Sequence, residues 1–169
     1  MNPNTNTLEK KADIQTNTET RQLILFKVGE QCYALLIEEV SEVLATPMIS
    51  KLPLAPDYIK GLSNVRGNIY TLIDLEIRFQ LENKSAETLE TDDFPFILLL
   101  NTQHAQIGIL LRQVPDTLEV SEDMIDQTPL LIRENQSDKS YVRGIIRHEE
   151  KLVLLLDSRE FTENMHSKS

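Results

Sequence analysis

Tryptophan is absent, and the 169 residues include one cysteine, three histidines and five glycines. A single cysteine cannot close a disulfide within the chain, and Cys32, inside an apolar stretch, reads as a small buried hydrophobe. Aromatic residues make up only 5%, too few for the stacking platforms on which single-stranded nucleic acid lies. His104, His148 and His166 are far apart, with no Cys or His at ligand spacing, so no metal site is read. His148-Glu149-Glu150 is not the helical His-Glu-x-x-His pattern and falls at an expected turn. Glycine-rich phosphate loops and the Gly-x-Ser-x-Gly elbow are missing as well, so no cofactor and no catalytic role are expected. No apolar run approaches the roughly 18 residues that would span a bilayer. No charged segment followed by an apolar one opens the chain, so a cytoplasmic protein without membrane insertion is expected. Cations are the scarce charge: 17 Lys and Arg against 27 Asp and Glu leave a net charge of −10. That sign repels nucleic-acid phosphates and anionic lipid, and it favours partners with basic patches.

What the sequence does have is enough apolar content to fold, 40%, and a repeated pattern. The organising stretch is residues 58–75, YIKGLSNVRGNIYTLIDL. It reads as a helical turn closed by Gly61, a strand, a tight turn and a second strand. Glycine tolerates positive φ, so Arg66-Gly67 suits the centre of a type II turn. Tyr58-Ile59-Lys60-Gly61 returns as Tyr141-Val142-Arg143-Gly144, an offset of 83 (141 − 58). Leu72-Ile73-Asp74 returns as Leu155-Leu156-Asp157 at the same offset of 83 (157 − 74). Upstream, Leu35-Leu36-Ile37 and Val40 match Ile109-Leu110-Leu111 and Val114 at an offset of 74 (114 − 40). The chain is an internal duplication of one small β unit.

Taken in order, residues 1–20 are polar and read as a disordered tail. Residues 23–28 and 31–37 are strands joined at Gly29-Glu30. Residues 38–44 fit a helical turn or a third strand, and one turn followed by a strand towards Met48 is the favoured reading; Pro47, Pro53 and Pro56 bar a long helix across 47–56. Residues 75–81 make one or two helical turns. Residues 82–93 are a polar joint between the repeats. Residues 94–101 form a strand apolar on both faces, and 106–111 pairs with it. Residues 114–120 parallel the Val40 region. Ser121 is placed to cap a short turn. Residues 128–140 are a second polar loop, 141–147 and 151–156 a last hairpin. Asp157 to Glu160 has capping-box spacing before a short helix. Residues 163–169 fray. Many short strands with Gly and Pro turns point to barrels rather than βαβ units. The expected fold is mostly β: two five-stranded SH3-like barrels side by side, with short helical turns. The first spans about 21–81 and the second about 94–162, with strands free to exchange between them.

Asp74 and Asp157 are equivalent by the repeat and could form an acid–base pair in a small enzyme. Each instead ends a strand before a turn, where Asp caps free N–H groups. An oligonucleotide-binding barrel is opposed by the charge and the missing tryptophan. Arg66 is the stronger candidate. An arginine on a rigid turn can stack and give a two-pronged hydrogen bond to a partner. In the repeat, Val65-Arg66-Gly67-Asn68 aligns with His148-Glu149-Glu150-Lys151, so a cation and a glycine stand where the other copy has two acids. Glu42 lies in the other segment expected near that turn and could orient Arg66 or meet the same partner.

At these residues the chain resembles the CheW family of chemotaxis coupling proteins. Residues 61–75 follow that family's pattern of Gly-x-x-Asn, an apolar residue, Arg-Gly, and an apolar strand ending in Asp-Leu. Val40-Ser41-Glu42-Val43 resembles its Val-x-Glu segment, and the likeness runs over about residues 22–162. Thr71 departs, since the family usually has proline there. The resemblance implies a non-catalytic adaptor of two SH3-like barrels, without cofactor or metal. It implies partners: the regulatory domain of a CheA-type histidine kinase, the cytoplasmic tip of a methyl-accepting chemoreceptor, and other CheW-like domains in a membrane-associated array. Arg66 and Glu42 match residues the family uses around receptor coupling; Val40 belongs to the same segment, and Asn64, Val65 and Gly67 shape the turn. The branch serving type IV pilus motility (PilI-like) is the alternative to swimming chemotaxis.

Overall fold

A computed structural model describes residues 18–81, 93–127, 141–160 and 163. Most of the expected ends (1–20 and 163–169) and of the expected polar loops (82–93 and 128–140) lies outside the described residues, although Thr20 already belongs to a strand.

The strands are β1 (Thr20–Val28), β2 (Gln31–Leu36), β3 (Val40–Ala45), β4 (Ile59–Val65) and β5 (Asn68–Ile73) in the first copy. A one-turn helix, α1 (Leu75–Arg78), follows. The second copy holds β6 (Phe96–Leu100), β7 (Ile107–Leu111), β8 (Asp116–Ser121), β9 (Ile125–Asp126), β10 (Val142–His148) and β11 (Lys151–Leu156). Short 3-10 turns at Ile37–Glu39 and Glu122–Met124 precede β3 and β9. The protein is mostly β, in two small sheets, as expected.

The sheets run in the orders β3-β6-β7-β5-β4 and β8-β1-β2-β11-β10-β9. Neither is built from one contiguous half. Each takes the opening hairpin of one copy and the remaining strands of the other, joined by a parallel pair: β5 with β7, and β11 with β2. The repeat reproduces the pairing residue by residue. Thr71 opposes Ile107, and their equivalents Leu154 and Tyr33 oppose each other. Glu42 opposes Leu99, and Asp116 opposes Leu25. One sheet has six strands rather than the expected five, because β9 adds two residues to the edge of β10. In the other sheet the same edge carries a single bridge from Ser50 to Leu62.

Burial follows the strand pattern. A central core joins the sheets: Ile24, Phe26, Tyr33 and Leu35 from one pack with Ile73, Leu98, Ile107 and Ile109 from the other. Leu23, Ala34, Val120, Ile146, Val153 and Leu155 fill the six-stranded unit; Val65, Leu72, Phe94, Ile97, Leu99 and Leu110 fill the five-stranded one. β7 is buried at every residue, so its continuous apolar run serves both an outer core and the central one. Cys32 is half-buried rather than buried.

Gly61 does not close a helical turn. It lies inside β4 with φ of +149°, at a register shift between Ile59 and Gly61. An added Cβ would come within 2.3 Å of the Ser50 carbonyl oxygen, so glycine is required by the close passage of that chain, not by a turn. Ser121 makes no side-chain cap to the following 3-10 turn.

Candidate partner-binding site

The β4–β5 hairpin closes on two residues, Arg66 and Gly67, with φ of +51° and +87°. Both lie in the left-handed region, so this is a type I′ turn and not the expected type II. A two-residue hairpin selects I′ because its twist matches that of the flanking strands. Glycine meets the requirement freely, whereas arginine in that conformation costs about 1 kcal/mol. The Asn64 side chain accepts the Gly67 N–H at 2.8 Å and closes the turn. Val65, 7% exposed, anchors it in the core of the five-stranded unit.

Arg66 itself is held out in solvent, its side chain 74% exposed. Its Nη1 donates to Glu42 Oε1 at 2.5 Å. Such an exposed pair stabilises a fold by about 0–1 kcal/mol at most, so its effect is on direction: it narrows the positions the guanidinium can take. Glu42 reaches the turn from β3, across a bulge between Val40 and Glu42. Val40 is not displayed with them; it packs against the central core. Arg66, Glu42, Asn64, Val65 and Gly67 therefore form one turn-centred group, and Val40 anchors the strand behind it.

The second copy has the same backbone and different chemistry. Glu149 and Glu150 also take positive φ, +46° and +63°, so the I′ turn is repeated without glycine. There the equivalents of Val40, Glu42 and Arg66, namely Val114, Asp116 and Glu149, border an open cleft of about 320 Å³ with Cys32 and His148. One hairpin presents an oriented cation and the other two acids.

Asp74 and Asp157 are caps. Asp74 Oδ1 accepts the Glu76 N–H at 2.9 Å, and Asp157 Oδ1 accepts the Arg159 N–H at 3.0 Å. The Asp157 N–H is taken by the Tyr141 carbonyl, so the reciprocal half of a capping box is not needed. Burial holds the Asp74 carboxyl above its ordinary range, against the N–H groups and Lys60 that pull it down. Burial pushes Asp157 the same way, but hydrogen bonds from Arg159 and the charge of Arg143 overcome it and leave it below the ordinary range. Among the described residues no cluster of His, Cys, Asp and Glu could hold a metal ion, and no helix is long and apolar enough to cross a membrane.

Sequence reading missed Glu39, Arg143 and Ser158. The Glu39 carboxylate, its side chain 12% exposed, accepts from Arg143 Nη2 at 2.5 Å and from the Ser158 N–H and Oγ at 3.1 and 2.9 Å. Arg143 was visible only as the repeat partner of Lys60. The repeat does not extend to Glu39, whose equivalent is Gln113.

These features define a class: a duplicated two-sheet β protein whose prominent groups are oriented charges on hairpin tips. Residues 22–164 match the CheW-like domain family, and the chain belongs to it. It is 27% identical over 150 residues to the chemotaxis protein CheW of Treponema pallidum, covering 88% of this chain and 85% of that one. Over 137 residues it is 28% identical to CheW of Rhizobium meliloti, covering 81% and 84%. The structure of the scaffolding protein TtCheW from Thermoanaerobacter tengcongensis superposes with a TM-score of 0.70 at 24% identity, over 85% of this chain and 88% of that one.

Proposed function

We propose that this protein is a non-catalytic adaptor of a chemosensory pathway. It couples the cytoplasmic tip of a methyl-accepting chemoreceptor to the regulatory domain of a CheA-type histidine kinase, in arrays with other CheW-like domains, and so acts on motility. The observation that carries the reading is the family match over residues 22–164. The geometry supports it: two joined sheets offer separate surfaces, and the Arg66 turn is a rigid, solvent-facing recognition group. Individual contacts can be weak, because an array supplies high effective concentration.

The test is calorimetric titration with the regulatory domain of a CheA-type kinase from the same cell. The wild-type protein is expected to bind saturably. Arg66→Glu, if the arginine is a hot spot of about 2 kcal/mol, weakens binding about thirtyfold. Glu149→Arg on the other hairpin serves as the comparison and shows which sheet carries that contact. A folded protein that binds no such domain would leave the fold standing and remove the coupling function.

A further inference from the structure

The chain leaves the six-stranded sheet and enters the five-stranded one through the 3-10 turn Ile37–Glu39, directly before Val40 and Glu42. Glu39 is bonded to both sides of that passage. Its carboxylate takes the Leu36 N–H at 3.0 Å at the end of β2, together with Arg143 on β10 and Ser158 after β11. Its own carbonyl accepts the Asn101 N–H at 2.8 Å, just past β6 in the other sheet, and the Asn101 side chain reaches the Glu38 carbonyl at 3.0 Å. Gln113, the equivalent at the second passage, has no carboxylate; Lys60, the equivalent of Arg143, lies 3.9 Å from Asp74 just as Arg143 lies 4.0 Å from Asp157, so the extra element is Glu39 itself. The duplication therefore gives two like passages, and one of them carries a charged pin.

From this we infer that Glu39 is a positioning residue for the Arg66 turn. The route is contiguous: Arg143 and Ser158 fix Glu39, Glu39 fixes the start of β3, β3 presents Glu42, and Glu42 directs Arg66. The end of the β10–β11 hairpin in one sheet thereby sets the recognition arginine of the other. A carboxylate suits the task because it accepts four hydrogen bonds at once, one of them from a cationic guanidinium. An amide at the same place would turn an NH₂ group towards Arg143 or Ser158. The inference rests on the adaptor reading, since it assigns Glu39 to the affinity of that same turn.

The test is a double-mutant cycle on titrations with the kinase domain and with a soluble fragment of the receptor tip, with Glu39→Gln and Arg66→Ala alone and together. Unfolding midpoints are measured alongside. Glu39→Gln is expected to weaken binding by between about 2-fold and 30-fold. In the Arg66→Ala background it should weaken binding no further. Arg143→Gln should reproduce both results, and it carries the test if Glu39→Gln fails to fold; Arg143→Lys should restore part of the affinity. Equal losses in both backgrounds, or a lowered unfolding midpoint with unchanged affinity, overturn the inference and leave Glu39 a structural clamp. If Arg66→Ala alone binds both partners as well as wild type, the assignment of the turn falls, and Glu39 then has nothing to position.

Discussion

Tyr58 and Tyr141, equivalent residues of the two copies, share one cation: the Arg78 guanidinium carbon lies 5.1 Å from one ring centre and 5.0 Å from the other. Tyr58 precedes β4 in the five-stranded sheet and Tyr141 precedes β10 in the six-stranded one. Phe79, next along, packs tilted against Tyr33 at 5.3 Å and Tyr141 at 6.0 Å between ring centres. The corner after α1 is thus a polar and aromatic joint between the sheets.

Replacing that arginine should loosen the joint. Arg78→Leu keeps an apolar stem and removes the cation, with an expected loss of about 1–2 kcal/mol. Urea unfolding measures it. A Leu variant as stable as wild type would mean that the tyrosines gain nothing from the charge.

Burial pushes the Tyr33 hydroxyl up to about 12. A folded-state value above the unfolded one, about 10, means that the folded protein keeps its proton more firmly. The associated stability is complete below pH 10 and is lost as pH rises towards 12, by up to about 3 kcal/mol. Tyr33→Phe should flatten alkaline unfolding over that range. An unchanged alkaline limb would assign the loss to other groups.

Asp74 and Asp157 should respond to pH with opposite signs. The raised value of Asp74 is a penalty present at neutral pH and relieved as pH falls through its folded-state value, so Asp74→Asn, which keeps the capping oxygen, should hold or raise the unfolding midpoint at pH 7. The lowered value of Asp157 is a stabilisation present above the unfolded carboxylate range and lost as pH falls through the lower folded-state value, so Asp157→Asn should lower the midpoint at pH 7. Both differences should close in acid. Midpoints recorded for the two variants from pH 7 down to pH 3 decide the matter, and like signs would contradict the electrostatic account.

Two glycines separate steric need from backbone need. Gly61→Ala would press a methyl to within 2.3 Å of the Ser50 oxygen and 2.8 Å of Ile49, at a cost of about 3 kcal/mol or more. Gly67→Ala meets nothing within 4 Å and should cost only about 1 kcal/mol, from its positive φ. Thermal unfolding of the pair gives the ranking, and a Gly67 variant that is the weaker of the two would refute it.

Much of this was legible beforehand, for identifiable reasons. The repeat was readable because Tyr-x-x-Gly and the Leu-x-Asp strand ends do the same backbone work in both copies. Strand periodicity located the hairpins, and cap chemistry assigned Asp74 and Asp157. The turn type at Arg66 was misread because glycine at the second position serves both types; the distinction lies in φ of the arginine, which sequence does not display. Gly61 was misread because its constraint comes from Ser50, a residue eleven positions earlier in a chain that folds back beside β4. Glu39 escaped notice because its partners Arg143 and Ser158 lie more than 100 residues away and its own equivalent in the repeat is a glutamine.

The parallel pair of β2 and β11 sets a timetable for synthesis. β2 is complete by residue 36, yet the neighbour that covers its second edge is made last, at Lys151–Leu156. A growing chain therefore carries the β2 edge of its first hairpin open until the strand at Lys151–Leu156 has been made. An early stop anywhere before residue 151 would release a product with that edge bare and ready to pair with another strand.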